Sequence, residues 1–199
     1  MIKHTTLGLS TVFGVLTLLP AAQASTLILN QDACSGTCGT APFGTVLLVQ
    51  TTPTMVTVTE TLAANERFAG TGAGEALEFN VLGPVTIGGI TSGFKPGPAP
   101  ATASAFGTFL ESVDCSSCQG GKTSNPVGPL TFTVTSAGGV TIADFIGNSG
   151  GYIFASDIFG NNGNTGNVAA LAGTTTPEPL SLSLVGAGLV GLSLLRRRA

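Results

Sequence analysis

This 199-residue sequence has no tryptophan, one tyrosine and one histidine, and only 9% of its residues are charged. A typical soluble domain carries about 25% Asp, Glu, Lys and Arg. Seven Lys and Arg in all cannot line a phosphate backbone, so nucleic-acid binding is excluded. The same scarcity excludes a charged coiled coil and an ordinary cytosolic enzyme rich in salt bridges. In place of charge the chain has 29 Gly, 11 Pro, 43% hydrophobic residues and a mean hydropathy of +0.46. Its length suits one domain of ordinary size.

The hydrophobicity is concentrated at the two ends. Lys3 precedes an apolar run from Leu7 to Leu19, Pro20 ends it, and Ala22-Gln23-Ala24 forms a small-x-small cleavage site before Ser25. This order predicts a signal peptide over 1–24 that signal peptidase removes. The alternative, an uncleaved anchor, needs about 20 apolar residues and this run is too short. At the other end, Leu180 to Leu195 carries no charge and is followed by Arg196, Arg197 and Arg198. Sixteen residues rise about 24 Å as a helix, short of the roughly 30 Å hydrocarbon core. Snorkelling arginines recover part of the gap and place that end on the cytoplasmic side of the inner membrane.

Pro177, Glu178 and Pro179, the Leu180–Leu195 segment and the Arg196–Arg198 cluster, in that order, resemble the PEP-CTERM sorting domain of Gram-negative envelope proteins. The resemblance covers about the last 23 residues, within the segment 174–199, with a weaker likeness over Gly151–Ile158 and Gly163–Asn167. It implies that an exosortase handles the tail, cutting near the motif and releasing or re-attaching the body at the surface. It also implies a setting of exopolysaccharide production and biofilm. A plain tail anchor that is never cut is the alternative. The chain is thus expected to be exported, transiently anchored, and then found at the cell surface or outside it.

The body, taken as 25–173, reads as all-β, a single sandwich or jelly roll. Expected strands are Thr26–Leu29, Thr45–Gln50, Met55–Thr61, Ala76–Leu82, Val85–Ile90, Ala105–Val113, Leu130–Thr135, Val140–Ile146 and Tyr152–Phe159. Ser136 to Gly139 reads as a hairpin turn, Phe94–Ser104 as an extended loop and Asn161–Asn167 as a tight loop. Val56 and Val58 alternate with Thr57 and Thr59, the period of a half-buried strand. Threonine suits strands and offers water a hydroxyl without a charge. Between Ser25 and Thr176 there are nine acids and three bases, a net of −6.

Cys34-x3-Cys38 and Cys115-x2-Cys118 form two close pairs. They suit two disulfides, a zinc site or a redox centre. An oxidising envelope compartment favours disulfides, with local pairing 34–38 and 115–118. A redox Cys-x-x-Cys needs a helix start, and Gly120-Gly121 with Asn125-Pro126 forbids a good one.

Several motifs match in letters and fail in chemistry. Gly186-x-Gly188-x-x-Gly191 lies in the apolar tail with no room for a βαβ unit. Gly120-Gly121-Lys122-Thr123 lacks its leading glycine, since Ser116 stands there. Gly147-x-Ser149-x-Gly151 has no histidine base, because His4 leaves with the signal peptide. Glu75 with Glu78, and Glu111 with Asp114, lie close in sequence. Three apart in a strand they face opposite ways, so these acids are expected as solvated surface charges. Asp144, Asp157 and the Asn161–Asn167 loop offer oxygen ligands for calcium without any recognised spacing, and a plain turn is the preferred reading. No catalytic set, metal or cofactor is expected. The function these features favour is structural or adhesive, alongside exopolysaccharide. A carbohydrate-binding module is the alternative and a carboxylate hydrolase the third.

Overall fold

The computed structural model describes residues 23–71 and 75–173, with the backbone of 175–177. Ala22, Glu178, Pro179, the Leu180–Leu195 segment and Arg196–Arg198 lie outside the described residues, as does the apolar run of the expected signal peptide. The described residues are all-β, with one short 3-10 turn at Ile142–Asp144. Among the described residues no helix is long and apolar enough to cross a membrane.

Two antiparallel sheets pack face to face. Sheet A runs β15 (Thr175–Pro177), β1 (Ala24–Leu29), β3 (Gly44–Thr52), β4 (Met55–Leu62), β12 (Leu130–Thr135), β7 (Thr86–Gly88). Sheet B runs β2 (Gln31–Asp32), β14 (Thr165–Leu171), β13 (Tyr152–Phe159), β6 (Leu77–Phe79), β11 (Glu111–Cys115), β8 (Phe94–Pro96), with β5 (Arg67–Phe68) also on β13. A small hairpin of β9 (Ala101–Ala103) and β10 (Gly107–Phe109) forms a third layer.

The alternating sequences build sheet A as expected. Val56, Val58, Leu130, Phe132 and Val134 are fully buried. Their Thr neighbours lie on the outer face, where Thr57 stands opposite Thr133 and Thr59 opposite Thr131. The Thr59 and Thr131 hydroxyls are 3.2 Å apart. The core between the sheets centres on Phe79 of β6. Its ring lies 5.5 Å from Phe132 across the sandwich, and 5.9 Å from both Phe145 and Phe154. A second, smaller core lies on the other face of sheet B. There Ala103, Phe106 and Phe109 of the hairpin layer cover Ala155 and Ala169. Sheet B is therefore buried on both faces, and sheet A on one.

The corner holding both ends is built from two bent strands. β1 continues into β2, passing from sheet A to sheet B at Asn30. β14 is followed by β15, which returns from sheet B to sheet A. The two bent strands run antiparallel along their length, Ala169 pairing with Gln31 and Pro177 with Ser25.

Four local expectations are corrected. Ala105–Val113 is not one strand. It splits at Leu110 into β10 of the hairpin layer and β11 of sheet B. Val140–Ile146 is not a strand, because Asp144 accepts hydrogen bonds from the Thr141 amide and hydroxyl and caps a 3-10 turn. The Phe94–Ser104 loop contains β8 and β9. The Asn161–Asn167 loop ends early, since β14 begins at Thr165.

Phe79→Ala removes the ring that joins the two sheets, and it should destabilise by about 3–5 kcal/mol. Thr57→Ala on the outer face should cost under about 1 kcal/mol. Urea unfolding of both variants compares the two faces.

Candidate functional site

The cysteines form two local disulfides, Cys34–Cys38 and Cys115–Cys118, each with Cα atoms 5.4 Å apart. Asp32 organises the first loop. Its carboxylate accepts the Cys34 amide at 2.9 Å, the Cys38 amide at 3.0 Å and the Thr37 hydroxyl at 2.6 Å. Burial raises the Asp32 pKa, and these three bonds more than offset it, leaving the carboxyl below its ordinary value.

This loop is clasped onto the turn between β13 and β14. The Asn162 and Asn164 side-chain amides both donate to the Thr37 carbonyl, at 2.7 and 2.8 Å. A Cβ on Gly160 would lie 2.1 Å from the Cys38 carbonyl oxygen, and one on Gly166 2.7 Å from the Cys34 Cα. Only glycine admits the loop at these two places. Of the asparagines considered as calcium ligands, Asn162 and Asn164 are thus committed to the clasp, and Asn167 is not. Asp144 is committed to its own cap, and Asp157 stands on sheet B with Thr71.

The acids depart most from expectation. Glu60, Glu66, Glu78 and Asp157 are buried rather than solvated, each with 1% exposure or less. Glu60 lies in phase with Val56 and Val58 and points into the main core. Burial drives its pKa well above the ordinary value, against a weaker opposing effect of Ser156. The Ser156 hydroxyl donates to the Ala76 carbonyl at 2.7 Å, so it has no hydrogen for Glu60. Neither Glu60 oxygen accepts a hydrogen bond, and the protonated acid is the form that fits. Glu66 has both oxygens buried without a partner. Burial, then the negative charge of Asp32, pushes it up to about 7.

On the outer face of sheet B four acids share one region. Glu78 of β6 stands between Ser112 of β11 and Ala155 of β13. Two residues along and on the same face are Asp114 and Asp157 (side chains i and i+2 share a face). Glu75 precedes β6, and its carbonyl accepts the Asp157 amide at 3.0 Å. Burial, then hydrogen bonding to Asp114, pushes the Glu75 carboxyl up to about 7. Burial raises Glu78 to about 8; the Glu75 amide opposes it, and the charges of Glu75 and Asp157 add smaller increases. The Glu75 amide faces the Glu78 carboxyl without forming a proper hydrogen bond, because both Glu78 oxygens remain unpartnered. Asp157 accepts the Thr71 hydroxyl at 2.8 Å and the Thr71 amide. Lys95 is the cation at this site, 3.2 Å from Asp114.

The spacing argument put Glu75 and Glu78 on opposite faces. It failed because Glu75 lies outside the strand. The burial of Glu60 could have been read from its phase with the valines. That of Asp157 was signalled by the nearly unbroken apolar run Tyr152–Phe159, which marks a strand covered on both faces.

Among the described residues no aromatic side chain is strongly exposed. The exposed large apolar side chains are Leu82, Leu110 and Val127. Tyr152 is packed edge-on against Phe106 with centroids 4.8 Å apart. Of the expected processing residues, Ala24 and Ser25 lie in β1 and Pro177 ends β15, with Ser25 and Pro177 directly opposite each other.

Glu66 is neutral where it is buried, so its contribution to stability is fully present below its ordinary pKa near 4.5 and is lost as pH rises through about 7. Between about pH 5 and pH 8 the protein should lose stability. Glu66→Gln should recover on the order of 2 kcal/mol of that loss at pH 8 and little at pH 5. Urea midpoints at the two pH values read it out. Replacing Cys34 and Cys38 together by Ser opens a short loop and should cost about 2 kcal/mol, measured the same way.

No protein-family model, curated protein or solved structure matches this chain.

Proposed function

We propose that this is an exported surface or matrix protein, sorted through its carboxyl tail by an exosortase, whose β body has a structural or adhesive role alongside exopolysaccharide. The observation that carries the reading is the pairing of β1 with β15. Ser25, expected to follow the signal-peptide cut, lies opposite Pro177, the first residue of the Pro-Glu-Pro motif. The two expected processing points are therefore neighbours at one corner of one edge. A body held there stands on the inner membrane by one corner, with both sheets clear of the bilayer. This arrangement suits trimming by signal peptidase and then by exosortase without disturbing the core.

The adhesive part of the reading is supported by the outer face of sheet A. Thr26, Thr45, Thr57, Thr59, Thr131 and Thr133 stand there in paired rows with Leu47 and Val49, and no charged residue interrupts them. Such a face offers hydroxyls to a hydroxyl-rich neutral polymer without charge repulsion. A jelly-roll arrangement of the body and a membrane-spanning helix over Leu180–Leu195 belong to the same proposal.

Replacing Pro177, Glu178 and Pro179 by alanine should leave a tail-bearing precursor in the membrane fraction. Intact mass and cell fractionation of the native host report it. An unchanged mature mass at an unchanged location would defeat the sorting reading.

A further inference from the structure

We propose that the outer face of sheet B binds a divalent cation, calcium by its chemistry, through Glu75, Glu78, Asp114 and Asp157. Three strands and the segment before β6 bring these carboxylates together, and the register places Glu78 between the strands that carry Asp114 and Asp157. Lys95 faces them from β8, pairs with Asp114 and is 59% exposed. One exposed ammonium does not balance four carboxylates, two of them fully buried.

Two further side chains point to a missing partner. Glu78 is fully buried and neither of its oxygens meets a donor. Asn167 is uncharged and 4% exposed, and its Oδ1 is also buried without a donor. Asn167 stands directly across from Asp157. The Asp157 amide bonds to Glu75 and its carbonyl to Ala69, while the Asn167 carbonyl bonds to Ala33. Neither residue spends its backbone on the other, so they form the narrow kind of antiparallel pair, whose side chains approach most closely. Asn167 thus brings a free oxygen beside the buried Asp157 carboxylate. Buried acceptors without donors call for a water or an ion. Water would satisfy the acceptors and leave the charges, whereas a cation answers both.

The donors are carboxylate and amide oxygens, a hard set with no imidazole and no thiolate, since Cys115 is in a disulfide. That excludes a zinc preference. Among the described residues no three of these carboxylates bring oxygens mutually within 4.8 Å. Binding an ion of either size therefore requires the half-exposed Glu75 and Asp114 to move inward. Calcium takes six to eight oxygens in flexible geometry, with water completing the shell. Glu75 and Asp114, the half-exposed members, can swing inward over the fixed pair Glu78 and Asp157.

The test uses the full chain in detergent, stripped with a chelator and titrated with Ca2+ by calorimetry and by thermal melting. One ion per chain should bind with Kd on the order of 10⁻⁴–10⁻³ M and raise Tm, and Mg2+ should bind more weakly. Glu78→Gln and the half-exposed Glu75→Gln should each weaken Ca2+ binding at least about tenfold. Glu66→Gln, a buried acid elsewhere, should leave it unchanged. The site is refuted if the wild-type chain binds no Ca2+ at millimolar concentration. Undiminished binding in folded Glu75→Gln protein refutes it equally, should Glu78→Gln fail to fold.

Discussion

The hairpin layer lies on the outer face of sheet B, where Ala103, Phe106 and Phe109 pack on Ala155 and Ala169. That contact closes the second face of a sheet whose first face already meets sheet A. A strand in such a sheet has no solvent side, so β13 reads as a nearly continuous apolar run. Any acid carried on the closed face must be neutralised, hydrogen-bonded or matched by a cation. Asp157 is held by Thr71, and neither Glu78 oxygen accepts a hydrogen bond. The buried acids Glu78 and Asp157 belong to this covered face, whereas Glu60 is buried in the main core.

Glycine makes the other end of the molecule. The Cys34–Cys38 loop lies so close to β13 and β14 that side chains on Gly160 or Gly166 would collide with its backbone. The disulfide shortens the loop, Asp32 gathers its amides, and Asn162 and Asn164 tie it to the turn. Each contact is local or joins neighbouring strand ends. The clasp therefore secures the β2 edge of sheet B and anchors it through Cys38, which is buried in the main core. A chain poor in charge cannot pin its edges with ion pairs, and here covalent bonds and amide hydrogen bonds take that place.

Local alternation was a reliable guide where one face of a strand meets water. Val56 to Leu62 and Leu130 to Val134 were legible for that reason, as was the local pairing of the cysteines. It failed where tertiary cover differs from the local pattern. Leu110 ends one strand and begins another in a different layer, and no residue type at that point signals it. Thr141 and Asp144 captured a segment that has strand composition, because a side-chain cap can outcompete a ladder over so short a stretch. β14, with the sequence TGNVAAL, has neither alternation nor bulk, and only its pairing with β13 makes it a strand. The acidic face was illegible for a related reason. Its members come from three strands and one connecting segment, and sequence distance carries no information about that meeting.

The charge of the body looks different once burial is known. Burial pushes Glu66 and Glu75 up to about 7 and Glu78 to about 8, and drives Glu60 well above its ordinary value, so these four carry less charge near neutral pH than composition assumes. Five acids of ordinary or less shifted titration then face three bases, so the body is nearer neutrality than the −6 of composition alone. Three of those five acids are further committed, Asp32 to its loop amides, Asp144 to its cap and Asp157 to Thr71. The surface left to meet a partner is nearly neutral and faced with threonine on one side. Repulsion from anionic polysaccharide or anionic lipid is accordingly weaker than the sequence implies, and falls further if the acidic face of sheet B takes up an ion. Hydroxyl and apolar contact, rather than charge, is the interaction such a surface is built to make.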